Sequence, residues 1–153
     1  MKKVLITLFL LLLNCNAFAA RYSIVELKDI QGLFGGQDLT LKSTGEIVTR
    51  IVKPVKKKLY ERRYSGRVNF AETVRDLDLP QLDHYKETVR PGMPDESRPT
   101  IRVRLTTGVV REYSKWAEES DDHFDKVYRK LLKIVRAKNG RLVYSGYYSA
   151  HSK

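Results

Sequence analysis

The sequence predicts an α+β domain: an antiparallel sheet built from hairpins and packed on one face by two helices. Three observations predict it. Ile101, Val103 and Leu105 alternate with Arg102, Arg104 and Thr106 before Thr107-Gly108 turns the chain into the return strand 109–113. Leu39 and Leu41 stand two apart ahead of Ser43-Thr44-Gly45 and the β-branched run 47–52. Two further segments carry apolar residues at helical spacing. Alternation gives each strand one buried and one wet face, which favours antiparallel pairing. Strands and helices segregate instead of alternating as strand-helix units, so the class is α+β.

The chain opens with Lys2 and Lys3, an apolar run over 4–13 interrupted only by Thr7, and then Ala17-Phe18-Ala19. This is the pattern of a secretory signal peptide, 1–19, cut before Ala20. The run is shorter than the roughly 20 apolar residues a spanning helix needs. Cys15 offers an alternative, since Leu-Leu-Asn-Cys resembles a lipobox whose cysteine would anchor a lipoprotein. Asn14 stands where Gly, Ala or Ser belongs, so the Ala-Phe-Ala cut is preferred. The intact mass of the exported protein checks this. An N-terminus at Ala20 is expected, and an acylated Cys15 would overturn it.

With the signal goes the only cysteine of the 153 residues, leaving 20–153 as one domain with no disulfide and no thiol chemistry. The cut removes two of the 29 basic side chains and none of the 18 acidic ones, so a net +11 falls to +9. That surplus favours polyanionic company.

The elements follow in order. Residues 22–27 are rich in β-formers, and the hairpin through Gly45 comes next. "KLYERRY", 58–64, adds a strand with Tyr60, Arg62 and Tyr64 on one face and Leu59, Glu61 and Arg63 on the other. Asn69 with Glu72 has the form of a capping box, and Phe70, Val74 and Leu77 recur on one helical face before Pro80. The second helix starts near Ser120. Its stripe is Phe124, Val127, Tyr128, Leu131, Leu132 and Val135, and Asn139-Gly140 stops it. "RLVYSGYY" is either a last strand or a tail.

Catalytic signatures are scarce. His84, His123 and His151 show no metal-ligand spacing, and the acids of "ESDDHFD" complement the positive end of a helix. No nucleophile elbow, metalloprotease motif or phosphate loop is present, so no cofactor is expected. Gly35-Gly36 reads as a turn needing unusual backbone angles. The loop "RPGMPDESRPT" is stiffened by Pro91, Pro94 and Pro99. It presents Asp95, Glu96 and Arg98, which with Trp116 form a candidate ligand or partner contact. Turn chemistry explains the same residues. A hydrolase or metal-dependent enzyme would need Asp95 or Glu96 to meet His84 or His123 in one pocket.

The order Gly35-Gly36-x-Asp38-Leu39, Pro91-Gly92-x-Pro94-Asp95-Glu96 with Pro99, then Lys115-Trp116 and the Phe124 helix resembles small bacterial secreted or envelope proteins of unknown function. The resemblance spans most of the mature chain and implies no catalytic residue. The basic run before Tyr60 and the "YSGYYSAHSK" ending fall outside that pattern.

Two basic features remain. Lys53, Lys56, Lys57, Lys58, Arg62 and Arg63 crowd one stretch, and Lys126, Arg129, Lys130 and Lys133 line the helix face opposite the apolar stripe. If they adjoin, they form a polyanion contact whose affinity falls with salt. Otherwise they are a solvated helix face and a loop kept soluble by lysine. The expectation is a periplasmic or secreted binding or interaction module rather than an enzyme. Its partner is expected to be an anionic envelope polymer, an anionic lipid surface or another envelope protein, without sequence-specific nucleic-acid binding.

Overall fold

The computed structural model describes residues 19–32, 34–92 and 96–149. Cys15, the apolar run before it and Asp95 lie outside these. Strands β1 (Tyr22–Gln31), β2 (Gly35–Lys42), β3 (Glu46–Val55) and β4 (Lys58–Arg67) form a meander. Helix α1 (Phe70–Leu77) and a 3₁₀ turn (Leu79–His84) lead to the hairpin β5 (Thr100–Leu105) and β6 (Val110–Ser114). Helix α2 (Asp122–Arg136) and strand β7 (Arg141–Tyr147) complete the order. All seven strands lie in one antiparallel sheet, β6-β5-β1-β2-β3-β4-β7. The fold is α+β, as the segregation of strands and helices predicts.

Both helices pack on the same face. Val25, Leu27, Leu39, Leu41, Ile47, Ile101 and Val103 meet Phe70, Val74 and Leu77 of α1 and Phe124, Val127, Leu131 and Val135 of α2 in one core. Burying each of these side chains contributes about 1.5–3 kcal/mol before ordering costs. Tyr128 anchors α2 to the sheet by donating its hydroxyl to Asp29 Oδ2 at 2.6 Å. Among the described residues, no helix covers the opposite face. It is covered by its own charged side chains, such as Arg102 between Glu26 and Glu112.

The caps differ in detail from the sequence expectation. Asn69 Oδ1 accepts from the Glu72 amide at 3.2 Å, while the Glu72 side chain lines the groove between the helices. Helix α2 begins at Asp122, capped by Asp121, whose carboxylate accepts from the Phe124 amide at 2.8 Å. The acids of that turn thus serve the positive helix end. "RLVYSGYY" is a paired edge strand rather than a tail.

The lysine run is not a loop. Val55 pairs with Lys58, leaving Lys56 and Lys57 as a two-residue hairpin turn with φ of 48° and 66°. Both central residues at positive φ is the arrangement that favours Asn-Gly, because it matches the twist of the strands. Lysine fills it at a steric cost.

Candidate functional site

Pleating divides β4 as the alternation predicts. Tyr60, Arg62 and Tyr64 point to the helix side, and Glu61 and Arg63 to the other. On the helix side β3 and β4 run beyond the end of α2, so their far halves are left uncovered. The result is a trough of about 200 Å³. Ile51 and Val55 supply its apolar surface, Tyr60 and Tyr64 its aromatic one, and Lys53, Arg62 and Lys138 its charge. Lys138 follows α2 and has a φ of 49°. Beyond Tyr60, the ring of Tyr147 stands edge-on at 6.0 Å, with Lys58 Nζ 5.1 Å from its centroid. A second hollow of about 410 Å³ there is lined by Gly32, Lys58, Leu59, Tyr147 and Tyr148.

No carboxylate among the described residues lines either hollow. Among the described residues, none of the ion pairs involves Lys53, Lys58, Arg62 or Lys138. Other surface cations, such as Lys28, Lys86 and Arg104, are likewise outside these pairs, so what sets the four apart is that they border hollows carrying tyrosine rings. Four non-glycine residues have positive φ among those described, and three are lysines: Lys138, which lines the trough, and Lys56 and Lys57 at the hairpin tip beyond Val55. The fourth, Asp78, ends α1.

The other basic residues named from sequence have different neighbours. Lys126 Nζ bonds Asp78 at 2.9 Å, and Arg129 Nε donates to the Asp125 carbonyl at 3.1 Å. Lys130 and Lys133 line the α1–α2 groove beside Glu72 and Asp76. Arg63 lies on the opposite face of the sheet from Arg62. The structure therefore joins Lys58 and Arg62 to Lys53 and Lys138, with Lys56 and Lys57 at the adjoining hairpin tip, and separates them from the helix stripe.

Arg63 belongs to a buried network. Glu61 is 0% exposed and accepts from Arg50 Nε at 3.0 Å and Arg63 Nη2 at 2.9 Å. Burial pushes its carboxyl up, but the two guanidiniums outweigh burial and hold it below the usual glutamate value. Arg50 lies 5.7 Å from the Tyr148 ring and Arg63 lies 5.6 Å from that of Tyr144. Tyr144 folds back over Gly146, where a Cβ would come within 2.7 Å of its hydroxyl. Sequence reasoning placed Glu61 on the correct face without signalling its burial, because a glutamate in an alternating strand reads as solvent-facing.

The proline-rich loop closes on itself. Arg90 binds Glu96 Oε1 at 2.6 Å and Glu119 Oε1 at 3.1 Å, and the Glu96 carboxylate is 3% exposed. The Arg90 and Arg98 guanidiniums stand 5.1 and 4.8 Å from the Trp116 ring, and Arg98 also pairs with Glu87. Gly92 presses against the indole, since a Cβ there would lie 2.3 Å from it. Glu96, Arg98 and Trp116 thus pair with their own neighbours and organise the loop. His123 bonds Gln81 at 2.9 Å and its ring lies 5.4 Å from that of His84. The structure does not bring either histidine to Glu96 in the cavities above. No group of three metal-ligating side chains occurs among the described residues.

Comparison with protein-family models, with curated proteins and with solved structures finds no match to this chain.

Proposed function

We propose that this protein is an exported, non-catalytic binding module whose cationic, tyrosine-lined trough holds an anionic polymer. The gathering of cations and tyrosines in concave surface carries this reading. Lys53, Arg62 and Lys138 line the trough and Lys58 the hollow beside it, among described residues that include no carboxylate there, whereas Lys126 and Arg129 are engaged by the protein itself. A concentration of one sign of charge in a cleft raises the local concentration of oppositely charged ligand.

Backbone conformation supports the same reading. A left-handed residue costs an ordinary side chain about 1–2 kcal/mol relative to its right-handed form, and Gly or Asn escapes most of this. Lysine occupies three such positions, in the trough and at the adjoining hairpin tip, so charge is kept where the backbone favours another residue. The test follows from that conflict. Replacing Lys56 by Asn and Lys57 by Gly together stabilises the hairpin by about 1 kcal/mol and lowers the salt at which the protein leaves heparin. Thermal melting and a heparin salt gradient read both effects. Arg62→Gln with Lys138→Gln lowers elution further, and Lys126→Gln with Arg129→Gln leaves it nearly unchanged. Equal shifts from the trough and helix pairs would overturn the assignment of the site.

A further inference from the structure

Resting on the reading of the trough as a polyanion site, we infer that its polymer is a single-stranded nucleic acid, held by stacking and by phosphate contacts and without sequence preference. The observation is the interleaving of rings and cations along one path. Tyr64, Arg62 and Tyr60 succeed one another at every second position of β4, on one face, and Tyr147 with Lys58 continues the series past Tyr60. The hollow beyond Tyr147 has Tyr147 and Lys58 on this face, while Tyr148 turns its ring to Arg50 on the other.

Cations alone suffice for a linear polyphosphate, and nothing in its chemistry calls for tyrosine. A lipid surface is met by outward-pointing charge on a convex or flat face, whereas Arg62 and Lys138 line a concavity. A duplex keeps its bases stacked on one another inside the helix, so it leaves the faces of Tyr60 and Tyr64 unused. A flexible strand of rings joined by phosphates satisfies both halves of the lining. Bases stack on aromatic side chains in a sequence-tolerant way, contributing about 1–3 kcal/mol each, while basic groups follow the backbone. No donor or acceptor array for reading base edges is needed, consistent with the expected absence of sequence-specific binding.

The experiment is fluorescence anisotropy of a labelled oligothymidylate of roughly 12 nucleotides, within the span small single-strand modules cover. Inorganic polyphosphate, duplex DNA and heparin of matched charge serve as competitors. The expected result is that unlabelled oligothymidylate displaces the probe at least tenfold better than polyphosphate or duplex. The salt slope should be near −3, from about 0.7 counterions released per cation over the four cations. Tyr64→Leu and Tyr60→Leu each weaken the oligonucleotide by about 5- to 150-fold, the equivalent of one lost stack. Neither change alters heparin elution. Tyr60→Phe and Tyr64→Phe keep the rings and retain binding, which separates stacking from the Tyr60 hydroxyl bond to Ser145 at 3.2 Å and from any loss of fold.

Polyphosphate competing as well as oligothymidylate, or leucine variants that lower heparin and oligonucleotide binding alike, would overturn the nucleic-acid assignment and leave the polyanion reading standing. Failure of the wild type to bind heparin, polyphosphate or oligonucleotide would remove both.

Discussion

Glu61→Ala is expected to destabilise the fold by about 3 kcal/mol, at the lower end of what breaking a buried ion pair costs. The loss arises on the arginine side. With the carboxylate gone, Arg50 and Arg63 face each other across β3 and β4 with no shared partner. Both are partly exposed, 25% and 31%, so they turn to water and the cost stays at the low end. Chemical denaturation measures it, and a loss below 1 kcal/mol would show that the network contributes little. Glu61→Gln adds a pH signature. The folded carboxyl titrates below its unfolded value of 4.5, so its contribution is complete above that value and is lost as pH falls through the folded pKa. Burial raises Asp29 and Asp38, and their effect runs the other way, favouring the folded state as they take up protons above 3.8. Subtracting the Glu61→Gln profile from wild type cancels those two and leaves a difference that shrinks with acid.

Gly36→Ala is expected to cost about 4 kcal/mol and to lower the melting temperature by roughly 10–20 °C. Two penalties coincide there. Gly36 has a φ of 136°, a region that costs an L side chain about 1–3 kcal/mol. A Cβ would also sit 1.9 Å from the Asp29 carbonyl oxygen, so β1 and β2 must separate, adding about 1–3 kcal/mol of overpacking strain. Gly108→Ala is the control. Its φ of 88° is equally left-handed, but nothing lies within 4 Å, so only the conformational part, about 1 kcal/mol, is expected. Similar losses at both positions would discount the close approach of β1 and β2.

Where a local signal and the tertiary structure agree, the sequence was legible. Ser43-Thr44-Gly45 and Thr107-Gly108 announce their turns through glycine at positive φ, 83° and 88°. The helical stripes of α1 and α2 match their buried residues. The β3–β4 hairpin was hidden because Lys56-Lys57 carries no turn residue, so a strained turn read as a basic loop. Half of the trough was visible, since period-two alternation alone puts Tyr60, Arg62 and Tyr64 together. Lys138 and Tyr147 were not, because their approach to β4 depends on where α2 ends and on a pairing between distant segments. Arg62 and Arg63, adjacent in one basic run, were grouped by composition and parted by pleating.

β7 follows α2 and lies at the edge of the sheet, so one wall of the trough depends on a long-range pairing. Among the described residues its one sheet neighbour is β4, and Tyr60 meets Tyr147 across the helices and the second hairpin. β1 to β4 can pair with one another before β7 docks, because those strands form a local meander. Until the last strand arrives, Tyr60 has no ring beside it, Lys58 has none beneath it, and the arginines around Glu61 lack Tyr144 and Tyr148. The charge of β3 and β4 is local to one hairpin, but the ring beside Tyr60 and Lys58 comes from a segment distant in sequence, so the trough's chemistry and its walls have separate origins in the chain.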